Sequence, residues 1–590
     1  MNSRLRALLL VGVLFVGSTG CSWFSDKPGD AFAAFAAALH DKDATAAAAH
    51  TTDAQAATPV ITAMFDGMGK AATVDVTPGE PSDAADAPKA TLTYSWSFGP
   101  GRELRYESTA SATKAGDHWL VQWSPTVLHP KLTGDTTFQY SDDKFFMTPV
   151  TDRDGQPLMN WQTVGVVNLN RDHRTSADAL AALLQSFGIT AESIQHQFDT
   201  TGDDSVTVIR LREPDLDPVA DQLAATPGVT VAKQGALLTA DPALSSPLLP
   251  GLEPLWQKAI DASAGWSVDL VDKSGTPTEE LASTPPGDTA PLRTTIDIRL
   301  QLLAQQAVAA EQRPAVLVAI APSTGGILAV AQNQAADAQG PISLTGLYPP
   351  GSTFKTITTA AAMQAGLVTP ETPVQCPGRI TIENRTIPNE DEFDLGTVPL
   401  STAFSHSCNT SMAALADRLP ADALGNTARM FGIGVDFVVP GITTVTGQVP
   451  NADTPAQRVE NGIGQGTVTA SPFGLAVAEA SLAHGSTILP TLVVGEQSTA
   501  DTASQPIPAE ITDGLRTMMG LTVTDGTATQ LRDIEGLGGK TGTAEFGDNT
   551  HSHGWFAGIL GDIAFATLVV GGDSSAPAVD ISGAFLRPAR

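Results

Sequence analysis

Positive charge is what this chain has least of for its size. Its 33 lysines and arginines stand against 63 aspartates and glutamates, a net charge of −30. That deficit excludes a nucleic-acid binder, whose phosphate partner demands a basic patch. It also excludes a protein held peripherally on anionic lipid. Charged residues of both signs reach only 16%, against 42% hydrophobic, so the chain is not a disordered segment. Alanine inflates that apolar figure while adding little burial per residue. Beyond the N-terminus no stretch approaches membrane-spanning length, there is no internal repeat, and the metal-like spacing of His551 and His553 is not followed by a Cys or acidic partner in a zinc pattern. Cysteine appears three times, at Cys21, Cys376 and Cys408.

The 590 residues are too many for one core and call for roughly three or four domains. The first is an address. Arg4 and Arg6 form a positive start, Ala7 to Val16 an apolar run, and Ser18-Thr19-Gly20-Cys21 a small-residue ending. This ending resembles a bacterial lipobox, which implies that Cys21 becomes the lipidated first residue of the mature protein. An uncleaved signal anchor from Ala7 to Phe24 is the alternative. Both readings place the remainder outside the cytoplasmic membrane, where thiols can oxidise. Cys376 and Cys408 are then a candidate disulfide closing a loop of about 30 residues, with two separate buried thiols as the alternative.

Helical faces come next, Phe32, Phe35 and Leu39 on one and Val60, Ile61, Met64 and Met68 on another. Alternation follows through Leu92, Tyr94 and Trp96, then Leu104 and Tyr106, then Trp119, Val121 and Trp123. Helices followed by an antiparallel sheet make a small α+β domain, expected over 25–147. A second region, expected over 148–287, opens with the turn Asp152-Arg153-Asp154-Gly155 and closes with a Pro/Gly/Ser/Thr-rich linker from Lys273 to Asp288. The third, expected over 288–590, contains a hairpin of Ala315 to Ala321 and Gly326 to Ala331, and a second around Gly561-Asp562.

Chemistry concentrates in that third region. Pro349-Pro350-Gly351 cannot continue a regular element, and Ser352 opens a run predicted helical to about Ala365, with Gly366 ending it. Lys355 lies on the same face as Ser352, about one turn deeper. A serine hydroxyl needs a base to become a nucleophile, and a lysine serves only if burial or a second cation removes its proton. A lone Ser-x-x-Lys is usually a helix start followed by an unrelated lysine. Here Ser407-Cys408-Asn409 and Lys540-Thr541-Gly542-Thr543 follow in order; the three patterns form one catalytic set. With Asn461-Gly462-Ile463-Gly464-Gln465-Gly466, this region resembles the transpeptidase domain of class B penicillin-binding proteins. Trp123-Ser124-Pro125 and Leu128-His129-Pro130 give the first domain a resemblance to the NTF2-like N-terminal domain of the MecA type.

The resemblance implies a multidomain α+β protein. After residues 1–21, a signal peptide with a lipobox-like end, come an NTF2-like domain, a non-catalytic dimerisation or pedestal domain, and an α/β/α sandwich around a central antiparallel sheet. It implies a D,D-transpeptidase acting on peptidoglycan stem peptides, with a D-Ala-D-Ala donor and an amine acceptor, acylated by β-lactams, on the outer membrane face beside a glycosyltransferase, without cofactor, metal or nucleic acid. In that scheme Ser352 is the nucleophile, Lys355 its base, Ser407 a proton relay, and Lys540 the second cation. Asn409 would hold the substrate amide, Thr541 and Thr543 its carboxylate, and Gly542 would leave room for its backbone. The backbone N–H groups of Ser352 and Thr543 would form the oxyanion hole. The rival readings are a D,D-carboxypeptidase, a β-lactamase of the same fold, and a β-lactam sensor or cell-wall scaffold. His551 and His553 read as loop residues at the rim of the site, and His406 as a bystander.

Overall fold

The structure is a computed structural model that describes residues 27–547 and 550–589. The lipobox-like ending and Cys21 lie outside the described residues. Among those described, no helix is long and apolar enough to cross a membrane. The chain divides into two compact units, one of residues up to 144 with 263–288, the other of 145–262 with 289 onward.

In the first unit three helices, Pro28–His40, Ala44–Ala49 and Ala54–Met68, precede a four-stranded antiparallel sheet. Asp43 and Asp53 cap the second and third helices by accepting the backbone N–H of Ala46 and Ala56. Phe32, Phe35, Leu39, Ile61, Met64 and Met68 are buried against Leu92, Tyr94 and Trp96. A second sheet orders Pro277–Thr284, Gly265–Asp272 and Thr136–Asp143.

That second sheet corrects the expected linker. Asp272 Oδ1 accepts the N–H groups of Ser274 and Thr276, so the Lys273 region is a hairpin turn. Trp266, Val268 and Leu270 bury their side chains in the first unit's core. Residues 263–288 thus belong to the first unit, and 145–262, expected as part of a separate 148–287 domain, form one compact unit with 289 onward.

In the second unit the Asp152 turn is present: its Oδ1 accepts from Asp154 N and Gln156 N. It leads into Pro157–Asn170, which pairs on one side with Ser205–Arg212 and on the other with Val229–Thr239. The latter is one continuous strand. Ser176, before the helix Ala177–Leu183, does not cap it; its hydroxyl donates to Pro227 O, and the preceding turn is 3₁₀.

The rest of this unit is built on an antiparallel five-stranded sheet, ordered Ile327–Gln332, Ala315–Ile320, Ile563–Val569, His551–Leu560, Gly538–Phe546. Ala315–Ile320 is apolar throughout because both its faces are covered. Val316, Val318 and Ile320 enter one core together with Phe473, Ala476 and Ala480 of the helix Pro472–His484. Ala315, Leu317 and Ala319 enter another with Leu300 and Ala304 of Ile298–Ala309, and Val579 and Phe585 of Ala576–Ala589. Period-two alternation across one strand therefore specifies the α/β/α sandwich. Gly538–Phe546, which carries the Lys-Thr-Gly-Thr motif, is the last strand in the sheet order.

Candidate functional site

The serine segment is a 3₁₀ turn, Gly351–Phe354, that passes into the α-helix Lys355–Gln364, tighter at its start than the expected single helix. Gly366 ends it with φ +67, and Leu367 N returns to Ala362 O. Close backbone approach fixes the turn. A Cβ on Gly351 would lie 2.5 Å from Thr543 O, and one on Gly464 would lie 2.0 Å from Gly351 O. Gly351 N donates to Gly464 O at 2.9 Å, and Thr358 Oγ1 to Gly462 O at 2.7 Å. The Asn461-to-Gly466 stretch is thereby a buttress behind Ser352. Gly542 is confined in the same way, since a Cβ there would meet Pro350 O and Thr353 Cγ2, each at 2.9 Å. This corrects the expectation that Gly542 leaves room for substrate; the space is filled by the serine segment itself.

The three motifs meet around two lysines with no exposed surface, Lys355 and Lys540. Lys355 Nζ donates to Ser407 O (2.6 Å), Ser407 Oγ (3.0 Å) and Asn409 Oδ1 (2.6 Å). An ammonium has three donors, and these three acceptors, all from the second motif, employ them without Ser352. Lys540 Nζ donates to the same Ser407 Oγ at 3.0 Å and to Thr541 O at 3.0 Å, and stands 5.8 Å from the centre of the Phe404 ring. Ser407 Oγ therefore bridges two amines.

Burial drives both lysines toward the neutral amine. Lys355 is held well below its usual range by desolvation and then by the charge of Lys540. Lys540 is brought down to about 7 by desolvation. Glu390 opposes this, its negative charge raising both.

The second motif is unusually constrained. Ser407 adopts φ +60, a left-handed conformation that non-glycine residues rarely take. A disulfide joins its neighbour Cys408 to Cys376. Asn409, expected to hold the substrate amide, also spans the site's own parts, accepting from Lys355 and donating through Nδ2 to Pro388 O at 2.8 Å. Thr541 is buried and shares a 2.6 Å hydrogen bond with Thr527, while Thr543 is half-buried.

The residues read as bystanders have partners of their own, and His551 and His553, expected in a loop, stand on the strand His551–Leu560. His406 Nδ1 is within 3.2 Å of Thr402 O and Ser405 Oγ. His553 stacks on Phe546 and meets Tyr348 edge-on; burial lowers it to about 4. His551 pairs with Asp573 at 3.5 Å. Sequence reasoning missed Phe404, Thr527, Asn389 and Glu390. Only the last two carried a signal, the acidic run of Asn389-Glu390-Asp391-Glu392 placed between the two cysteines.

The family described as "Penicillin binding protein transpeptidase domain" matches residues 315–587, and that described as "NTF2-like N-terminal transpeptidase domain" matches 27–136. The chain is 30% identical over 299 residues to the peptidoglycan D,D-transpeptidase PbpA of Mycobacterium tuberculosis, covering 42% of this chain and 58% of that protein. It is 32% identical over 298 residues to PbpA of Mycolicibacterium smegmatis, with the same shares. The peptidoglycan D,D-transpeptidase MrdA of Acinetobacter baumannii is 26% identical over 275 residues, 41% of each chain. This chain thus spans less than two thirds of the length of these relatives. A penicillin-binding protein (PBP2) of Helicobacter pylori, solved in complex with MreC, has a TM-score of 0.57 and 17% identity, covering 77% of this chain and 98% of that one. At that identity the likeness is one of fold. Residues 27–136 thus belong to the NTF2-like N-terminal transpeptidase domain family and residues 315–587 to the penicillin-binding protein transpeptidase domain family.

Proposed function

We propose that this protein is a peptidoglycan D,D-transpeptidase whose nucleophile is Ser352. The observation that carries the reading is Ser407 Oγ, held 3.0 Å from each of two buried lysine amines beside the serine turn. Burial keeps Lys355 toward the neutral form a base requires. To serve Ser352 it must release one of its three second-motif acceptors, which substrate binding between the motifs would bring about. Ser352 Oγ then attacks the penultimate D-Ala carbonyl and its proton passes to Lys355. The oxyanion is received by the N–H groups of Ser352 and Thr543. Ser407, a hydroxyl that both donates and accepts, relays a proton to the leaving D-Ala nitrogen. In the second half an acceptor amine bonds to the acyl carbon, the Oγ–C bond breaks, and an amine proton returns to Ser352. Two acyl transfers exchange one amide for another and need no ATP.

The last strand of the sheet, Gly538–Phe546, offers an edge on which an extended stem peptide can lie. Asn409 would meet its amide, and Thr541, Thr543 and Lys540 its terminal carboxylate. A β-lactam would acylate Ser352 by the same route. The protein would work on the outer face of the cell membrane, anchored through lipidated Cys21 and supplied with glycan strands by a glycosyltransferase. Incubation with lipid-linked precursor and a glycosyltransferase, followed by mass analysis, should give crosslinked stem peptides that vanish in Ser352→Ala. Trimmed but uncrosslinked stems would make the protein a carboxypeptidase.

A further inference from the structure

Between the two cysteines the chain makes the hairpin Arg379–Ile382 with Arg385–Pro388, then a turn at Glu390–Glu392. This segment is clamped to the second motif. Asn409 Nδ2 donates to Pro388 O at 2.8 Å, and buried Asn389 accepts Thr410 N at 3.1 Å while donating to Pro377 O and Phe393 O. The disulfide ties the same two stretches covalently. Asp391 and Glu392 take φ +48 and +55, so the turn holds a conformation that non-glycine residues avoid. Glu392 is paired with Arg379. Glu390 is exposed, and among the described residues its carboxylate has no ion-pair or hydrogen-bond partner.

We propose that Glu390 is the specificity-determining residue for the acceptor, binding the ammonium group of an incoming amine beside the acyl-serine. The proposal rests on the acyl-transfer reading above. By microscopic reversibility the acceptor nitrogen enters where the leaving nitrogen departs, on the side of Ser407. That side holds Lys355 and Lys540, which repel a cation whenever either is charged. Glu390 follows directly on the residue clamped to Thr410, and its charge reaches both lysines. A negative charge there offsets the repulsion and selects an ammonium-bearing acceptor over water. The held ammonium first gives one proton to the neutral Lys355 amine, which passes it on to solvent; the free amine then attacks, and its second proton returns to Ser352 as the Oγ–C bond breaks. Glu390 makes and breaks no bond itself; it is placed to hold the acceptor.

The test uses the full chain, a D-alanyl thioester donor, and a D-amino acid as acceptor, with hydrolysis of the acyl-enzyme as the neutral-nucleophile control. Glu390→Gln should raise the acceptor KM about three- to tenfold at low salt and less at high salt. Acylation and hydrolysis both run through the two lysines, whose hold on a proton Glu390 strengthens, so they should rise, if they change, by a common factor, and the ratio of transfer to hydrolysis carries the effect. Glu390→Asp should recover part of the loss, and Asp391→Asn, one residue along, should change nothing. An unchanged acceptor KM overturns the proposal. So does a fall in hydrolysis with Glu390→Gln, which would make the carboxylate a water activator. If the unaltered protein is never acylated by the thioester, the transpeptidase reading fails first and the proposal falls with it.

Discussion

Replacing Lys540 by methionine should stabilise the protein while disabling it. Lys540 is fully buried, and burial brings its amine from the usual 10.5 to about 7. Keeping the charged form under that displacement costs about 5 kcal/mol at neutral pH and below. Methionine occupies a similar volume without a charge. It gives up the bonds to Ser407 Oγ and Thr541 O, which returns roughly 1–3 kcal/mol. The net gain is then about 2–4 kcal/mol. In a unit of roughly 420 residues the unfolding entropy is about 0.9 kcal/mol per degree, so Tm should rise by about 2–4 °C. The pH dependence is the sharper readout. Between about 7 and 10.5 the unfolded chain binds more protons at this lysine than the folded one, so the stability of the unaltered protein rises through that window relative to the variant. The advantage of Lys540→Met should therefore be full at pH 6 to 7 and shrink toward pH 10. Penicillin acylation should drop by orders of magnitude at every pH, since the relay would lose one amine. Differential scanning calorimetry at four pH values decides it. A variant less stable than the parent at pH 7, or an advantage that grows with pH, would refute the reasoning.

Two further outcomes follow from the same geometry. Penicillin should add its own mass to one peptide containing Ser352 and remain there, because the tethered leaving nitrogen blocks an acceptor; Ser352→Ala should lose the adduct, Lys355→Ala should form it far more slowly, and rapid multiple turnover would point to a β-lactamase. The double variant Cys376→Ser with Cys408→Ser opens a loop of sequence separation 32, which in the chain-entropy account lowers stability by about 3.7 kcal/mol. Because Cys408 lies between Ser407 and Asn409, acylation should slow in that variant as well; unchanged Tm and acylation would show that the bond is idle.

The motifs that meet at the candidate site were legible because the proposed acyl transfer asks for particular residue types: an alcohol, an amine with a weakened hold on its proton, and donors for a carboxylate. The sheet strand Ala315–Ile320 was legible because two-sided burial leaves an apolar run. What could not be read depends on chain segments far apart in sequence. Thr136–Asp143 pairs with Gly265–Asp272, and nothing local in Lys273 to Asp288 distinguishes a hairpin from a linker. Helical spacing puts Lys355 on the face of Ser352, yet its three bonds go to residues 52 and 54 positions away. Gly542 reads equally well as room for ligand or room for backbone, and only the position of Pro350 decides between them. Glu390 was hidden in an acidic run, a pattern that ordinarily marks solvated surface.

Several features that cost stability gather at this site. Two lysines are buried without a carboxylate hydrogen-bonded to either, Ser407 is left-handed, and Asn461 Nδ2 is buried without a partner among the described residues. Such a set persists only when its surroundings leave it no alternative. The enclosing structure supplies that from both sides. Gly351, Gly464 and Gly542 allow backbone contacts that side chains would forbid, and these fix the serine turn on the edge strand. The disulfide and Asn389 fix Ser407 and Asn409 from the hairpin. On the proposed reading the rigidity has a definite use: a lysine that could swing to solvent would regain its proton and could not serve as a base. The enclosure that keeps water from Lys355 also leaves the exposed Glu390 turn, at the border of the second motif, as a place where a charge can act on the chemistry without being buried in it.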